Sequence, residues 1–340
     1  MGGISPGESA KQHRERLPEL IEQCFKGASI SRDQISAIAV TTRPGLVIAL
    51  KEGIRSAIGL ARELQKATHS RSSHASPRSF RVSFNGKSSI SSPEEFSIYG
   101  QSVSGSPGEC MDKIARELHV QQIPEFKNIH PGAAVEILAS RSSQEGHSRY
   151  PIAMPNTVGA DMNFSQIKSP YLNMARAEML RSYFSLEDFA ASLQHTVTKH
   201  IAGKVHSVLE WLKIEERPVK HLVISGGVGA NRYISNGVSK VAAFYGVETV
   251  AVPPNLCTDN AEMIAYTGIL MMERSSPDII PWKKLPDMIF AHARQDIGPD
   301  ERSRVPKRPV NRLAMKTVHG NEPVRFFDKE FFRAQAKIAE

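Results

Sequence analysis

The chain has 340 residues, 40% of them hydrophobic and 23% charged, with a formal net charge of +8. That size suits two domains or one large α/β unit, and the composition is that of a globular protein. No apolar run reaches the length of about eighteen residues that a membrane span needs. Three scattered cysteines, Cys24, Cys110 and Cys257, argue against a disulfide framework or a zinc knuckle.

The start, Met1-Gly2-Gly3-Ile4-Ser5-Pro6, reads as neither a signal peptide nor a myristoylation site, because Pro6 stands where Ser or Thr is needed. Leu17, Leu20, Ile21, Cys24 and Phe25 predict a helix from Ser9 to Phe25 with one buried face, Pro18 marking a late start or a kink. Ile35 to Val40 reads as a strand closed by Arg43-Pro44-Gly45-Leu46. Val47, Leu50, Ile54, Ile58, Ala61 and Leu64 then recur at helical intervals. From His69 to Ser92 serines crowd the chain, Pro77 interrupts it and no period survives, so a loop is expected.

Phe96 to Val103 reads as a strand, and Gly105 to Glu109 opens a helix through Met111, Ile114, Ala115 and Leu118. Residues 120–184 read as loops and short helices. Ser185 and Asp188 start a long helix whose stripe runs from Leu186 and Phe189 to Leu212; His195, His200 and His206 fall mostly off that stripe and are expected at the surface. A strand His221–Ile224, a glycine loop, a helix to about Tyr245, a strand Val247–Val252 and a helix to about Met272 complete the pattern. This alternation of strand and helix predicts an α/β architecture with functional loops at strand ends.

Two of those loops carry chemistry. Gly226-Gly227-Val228-Gly229-Ala230-Asn231 follows a strand and opens a helix, a design in which backbone N–H groups reach an anion. It lacks the full dinucleotide fingerprint and the P-loop lysine, so a packing turn is the competing reading. Asp259, after Pro253-Pro254, stands at the mouth of the next helix as a metal ligand or as a cap. Asp112 is placed to accept from a ribose hydroxyl, or to pair with Arg116 one turn on. His69 and His74 are five apart, whereas two ligands on one helical face want four, which favours exposed loop histidines. Arg302, Arg304, Lys307, Arg308, Arg312 and Lys316 form a basic stretch read as a solvated tail, or as a phosphate-backbone contact.

Together these loops resemble the tRNA threonylcarbamoyladenosine transferases, once described as sialoglycoprotease-like, and their organellar (mitochondrial) branch in particular. The matching segments are Gly2 to Pro6 with His13, Ala39 to Leu46, Ser106 to Lys113, Pro131-Gly132, Phe164 to Lys168, Gly226 to Asn231 and Leu256 to Ala265. The resemblance implies the two-lobed (ASKHA) fold of actin, heat-shock chaperone ATPases and sugar kinases, here with an incomplete N-terminal lobe. The lobes would be 1–120 and 121–275, followed by a basic extension, 276–340. It implies transfer of a threonylcarbamoyl group from threonylcarbamoyl-AMP to the exocyclic amine of the adenosine 3′ of the anticodon in tRNA, in mitochondria. Asp112, Gly132, Gly226, Gly227 and Asn231 would hold the adenylate. Asp259 would bind one divalent metal ion, zinc or iron, and contribute to catalysis, with His69 and His74 standing nearest the family's histidine pair.

No membrane contact is expected, and a homodimer is left open. The family pattern also expects a first strand with an acidic phosphate turn ahead of Gly2, and a Ser-Gly-Gly-His loop where this chain has its serine-rich stretch. The alternatives are an ATP-dependent small-molecule kinase of the same fold and a catalytically degenerate tRNA- or nucleotide-binding paralogue.

Overall fold

A computed structural model describes residues 6–64, 67–72, 96–253, 257, 260–273, 275–294 and 298–308. In chain order the elements begin with α1 (Pro6–Ala28), β1 (Ala37–Arg43), α2 (Val47–Leu64), β2 (Ala67–Ser72), β3 (Ser102–Ser104), α3 (Pro107–Glu117), α4 (Pro131–Ser140) and α5 (Gly146–Arg149). They continue with β4 (Met162–Asn163), α6 (Ser165–Glu178), α7 (Leu186–Ile214), β5 (His221–Ile224), α8 (Arg232–Phe244), β6 (Glu248–Ala251), α9 (Ala261–Glu273) and β7 (Ile279–Ile280). The protein is α/β, as the alternation predicts. Its contacts gather into two units, one of residues 1–76 with 259–296 and one of residues 77–258 with 297–340. This division differs from lobes cut at residue 120, which falls inside the second unit.

The first unit holds a sheet in the order β1-β2-β7, with β1 and β2 parallel and β7 antiparallel to β2. The stripe predicted for α2 is buried at Ile54, Ala57, Ile58 and Ala61. Helix α9 lies on β1, where a Cβ added at Gly268 would stand 3.1 Å from that of Ala39. Two expectations fail here. Strand β2 occupies 67–72, where no strand period was visible, because pairing on both sides with β1 and β7 overrides weak local preference. Helix α1 forms, but its apolar positions do not make a buried face: Ala10 is its buried residue, and Leu20 is half exposed. Between α1 and α2, Arg14 holds the buried Glu52 through bonds of 3.2 and 2.8 Å.

The second unit is built around α7. Its N-cap is Ser185, whose hydroxyl accepts from the Asp188 amide at 3.1 Å, as the sequence signature implies. The helix is buried on nearly every face, packed by α4, α5 and α8. His200 and His206 are therefore core residues at 4% and 1% exposure, not surface ones, and His195 is half-buried. Each is satisfied: His195 by the Tyr233 hydroxyl at 2.9 Å, His200 by the Asn163 amide at 3.0 Å, and His206 by the Tyr245 hydroxyl at 2.8 Å. A one-sided stripe misplaces residues on a helix that is covered all round.

Strands β5 and β6 pair in parallel with α8 between them, which is the βαβ unit expected around the glycine loop. The segment 302–308 is docked and not a free tail. Val305 is 3% exposed, Arg302 pairs with Asp300 and Asp161, and the Arg304 guanidinium lies over the Trp211 ring. Arg312 and Lys316 lie outside the described residues.

Candidate functional site

Helix α3 begins at Ser106, whose hydroxyl accepts from the Glu109 amide at 3.2 Å, with Pro107 at the first helical position. Glu109 is fixed by Lys113 and Lys168 at 2.7 and 3.1 Å, so this end of the helix is tied to α6. Asp112 follows one turn in and faces the start of α4. Its Oδ1 is buried with no hydrogen-bond partner. Burial raises the carboxyl pKa above its ordinary value, while His130, Arg116 and the Gly132 amide oppose that shift. The i,i+4 neighbour Arg116 thus acts on Asp112 through its field, and no ion pair joins the two.

The start of α4 is made by His130-Pro131-Gly132. The His130 ring is the N-cap, its Nδ1 accepting from the Gly132 amide at 3.3 Å. The same Nδ1 stands 3.7 Å from Asp112 Oδ1. Gly132 lies beside both, and a Cβ there would stand at ordinary contact distance, 3.5 Å from Asp112 Oδ1 and 3.6 Å from His130 Nδ1. Further along α4, Glu136 accepts from the Arg232 amide at 2.8 Å and so reaches the first turn of α8.

The glycine loop turns at Gly226, whose φ of 93° and ψ of 162° belong to a region that only glycine enters freely. Gly229 packs close on Ile224, and Val228 meets Gly108 of α3. Gly227 differs, because a Cβ there would meet nothing within 4 Å. Asn231 closes the loop from inside. At 5% exposure its Oδ1 caps the Ile234 amide at 3.0 Å and its Nδ2 donates to Gln194 at 2.9 Å. Its side chain is committed to the fold, so it shapes the loop from within.

Asp112, Gly132, Gly226, Gly227 and Asn231 all fall in the second unit. Contacts of α3 with α4 and with the 227–230 turn, and the bond from the Arg232 amide of α8 to Glu136 of α4, join them into one neighbourhood. His130, Glu136 and Gln194 belong to it as well and escaped sequence reasoning. Only His130 carried a signal, preceding a Pro-Gly pair that opens a helix. Asp259 and His74 lie outside the described residues, and of His69 only the backbone is described, in β2 between Ala39 and Ile279. Among the described residues no three His, Cys, Asp or Glu side chains come together as a metal site.

The parallel β5–β6 pair, with the glycine loop and α8 between its strands, is that of an α/β protein. The family is given by comparison with known proteins. A family model described as tRNA N6-adenosine threonylcarbamoyltransferase matches residues 1–75 and 85–266, with a gap inside the serine-rich stretch. The chain is 48% identical over 353 residues to a probable mitochondrial tRNA N6-adenosine threonylcarbamoyltransferase of Caenorhabditis elegans, covering 98% of this chain and 83% of that protein. A probable mitochondrial counterpart in Drosophila melanogaster is 30% identical over 79% of this chain and 73% of its own length. The human mitochondrial enzyme is 27% identical, with 79% and 71% covered. The chain belongs to the tRNA N6-adenosine threonylcarbamoyltransferase family.

Proposed function

We propose that this chain modifies tRNA in mitochondria, moving the threonylcarbamoyl group of threonylcarbamoyl-AMP onto the N6 amine of the adenosine 3′ of the anticodon. The adenosine amine attacks the acyl carbon, the bond from that carbon to the phosphate oxygen breaks, and AMP leaves with the electron pair while the amine proton passes to solvent. The chain's own residues position the adenylate: Asp112 Oδ1 accepts from a ribose hydroxyl, and the Gly226–Gly227 backbone lies along the nucleotide. Asn231 and Gln194 hold that loop in shape. The observation that carries this reading is a family match running through every segment of the neighbourhood. The two-lobed fold of actin and the sugar kinases is part of the same proposal.

Asp112→Asn tests it. The variant keeps the side chain's shape and loses a charge-assisted bond worth about 1.5–3 kcal/mol, so AMP affinity should fall about 10- to 100-fold with thermal stability unchanged. Unaltered AMP affinity in calorimetry would remove Asp112 from the ligand site. Asp259 is proposed, on the Leu256–Ala265 resemblance, as the ligand of a zinc or iron ion. Elemental analysis of the purified chain should find metal that Asp259→Asn lacks, and equal contents in the two proteins would refute that role.

A further inference from the structure

We propose that His195 and Tyr233 are positioning residues for the glycine loop: the bond between their side chains fixes the start of α8 and so holds the Gly226–Gly227 backbone in place along the nucleotide. This rests on the nucleotide reading of that loop. The turn's own backbone bonds run from the Gly229 amide to Gly226 and from the Asn231 amide to Val228, at 2.8 and 3.1 Å. They close the loop on itself and set its shape without tying it to its surroundings. On the strand side its place is set by packing, Gly229 on Ile224 and Val228 on Gly108. On the helix side it is set by side chains that reach three consecutive residues. Gln194 accepts from Asn231 Nδ2 at 2.9 Å, and Glu136 accepts from the Arg232 amide at 2.8 Å. His195 Nδ1 shares a hydrogen bond of 2.9 Å with the Tyr233 hydroxyl.

These three holds are unequal. The Glu136 bond is exposed, where water competes for both partners. Those of Gln194 and His195 come from adjacent residues of α7, a helix buried on nearly every face and therefore a rigid support. One bond leaves the start of α8 free to swivel about it, and a second from a neighbouring position on α7 stops that rotation. The His195 ring is itself held, because the His147 ring packs edge-on against it with centroids 5.2 Å apart. Burial lowers the His195 pKa to about 4, so near neutrality the ring is uncharged and keeps one donor and one acceptor nitrogen. A loop that positions a reactant tolerates little slack, since about 1 Å of misplacement can cost about 100-fold in rate.

The test measures AMP binding by calorimetry to the full chain, to Tyr233→Phe, to His195→Leu, to the two combined, and to His195→Asn. Phenylalanine keeps the ring and loses the hydroxyl, and asparagine puts an amide atom where Nδ1 stands. Tyr233→Phe and His195→Leu should each weaken binding about 3- to 10-fold, the double variant no further than either, and His195→Asn should bind like the parent. A second measurement needs no ligand. Hydrogen exchange at the bonded amides of Gly229, Asn231 and Ile234 should quicken about 3- to 10-fold in Tyr233→Phe, with the amides of 238–244 unchanged. Equal AMP affinities in the parent and Tyr233→Phe, losses that add in the double variant, or faster exchange spread evenly along α8 would each overturn the inference. A His195→Asn protein as weak as His195→Leu would overturn it as well. Quickened exchange confined to the start of α8, in a chain whose parent binds no AMP, upholds the hold on the loop and overturns instead the nucleotide reading of the site.

Discussion

At the residue scale, the two adjacent glycines of the 226–231 loop separate a folding requirement from a binding one. Gly226 holds a backbone conformation closed to other residues, so Gly226→Ala should lower stability by about 1–3 kcal/mol. Gly227 has open space around its Cα, so Gly227→Ala should leave the melting temperature unchanged and weaken AMP binding by putting a methyl group where the nucleotide lies. A Gly227→Ala protein that binds AMP like the parent would place the ligand elsewhere. The loop itself was legible in the sequence, since a glycine cluster between a strand and a helix has few other uses. Its supports were not. Gln194 sits off the apolar stripe of α7 and Glu136 carries no local pattern; each acquires meaning only from what another element brings to it.

At the element scale, α7 sets an acid limit on the fold. Burial lowers the pKa of both His195 and His200 to about 4. His200 Nε2 must keep its lone pair to accept from the Asn163 amide, which ties the helix to β4. The unfolded chain takes up these two protons near pH 6.5 and the folded chain near pH 4. Stability is therefore fully present above about pH 6.5 and is lost as pH falls towards 4, by at most about 1.4 kcal/mol per pH unit for each histidine. Urea titrations across that window should show the loss, and His200→Gln, which can still accept from Asn163, should flatten part of it. A stability flat from pH 6.5 to 4 would contradict the burial of these rings. Helices α2, α3, α7 and α8 were readable because their periods or caps are local. Strand β2 and the buried histidines were not, since both are decided by neighbours remote in sequence.

At the scale of the whole molecule, the chain's division was the least legible property. Residues 259–296 join the first 76 through β2–β7 pairing and the seat of α9 on β1, links that span most of the chain and leave no composition shift behind. Likewise, the basic segment 302–308 looks like a tail until Asp161, Asp300 and Trp211 are seen to receive it. Family membership, by contrast, was readable in motifs whose order along the chain is as specific as their content, and the family model follows the same order. The most direct measurement is of the reaction itself: the full chain is incubated with unmodified tRNA and threonylcarbamoyl-AMP, the tRNA is digested, and its nucleosides are quantified by mass spectrometry. The account predicts N6-threonylcarbamoyladenosine accumulating in proportion to protein and falling with Asp112→Asn. No modified nucleoside above the protein-free control, from folded chain that binds AMP, would contradict it and leave a nucleotide-binding protein without the transfer activity.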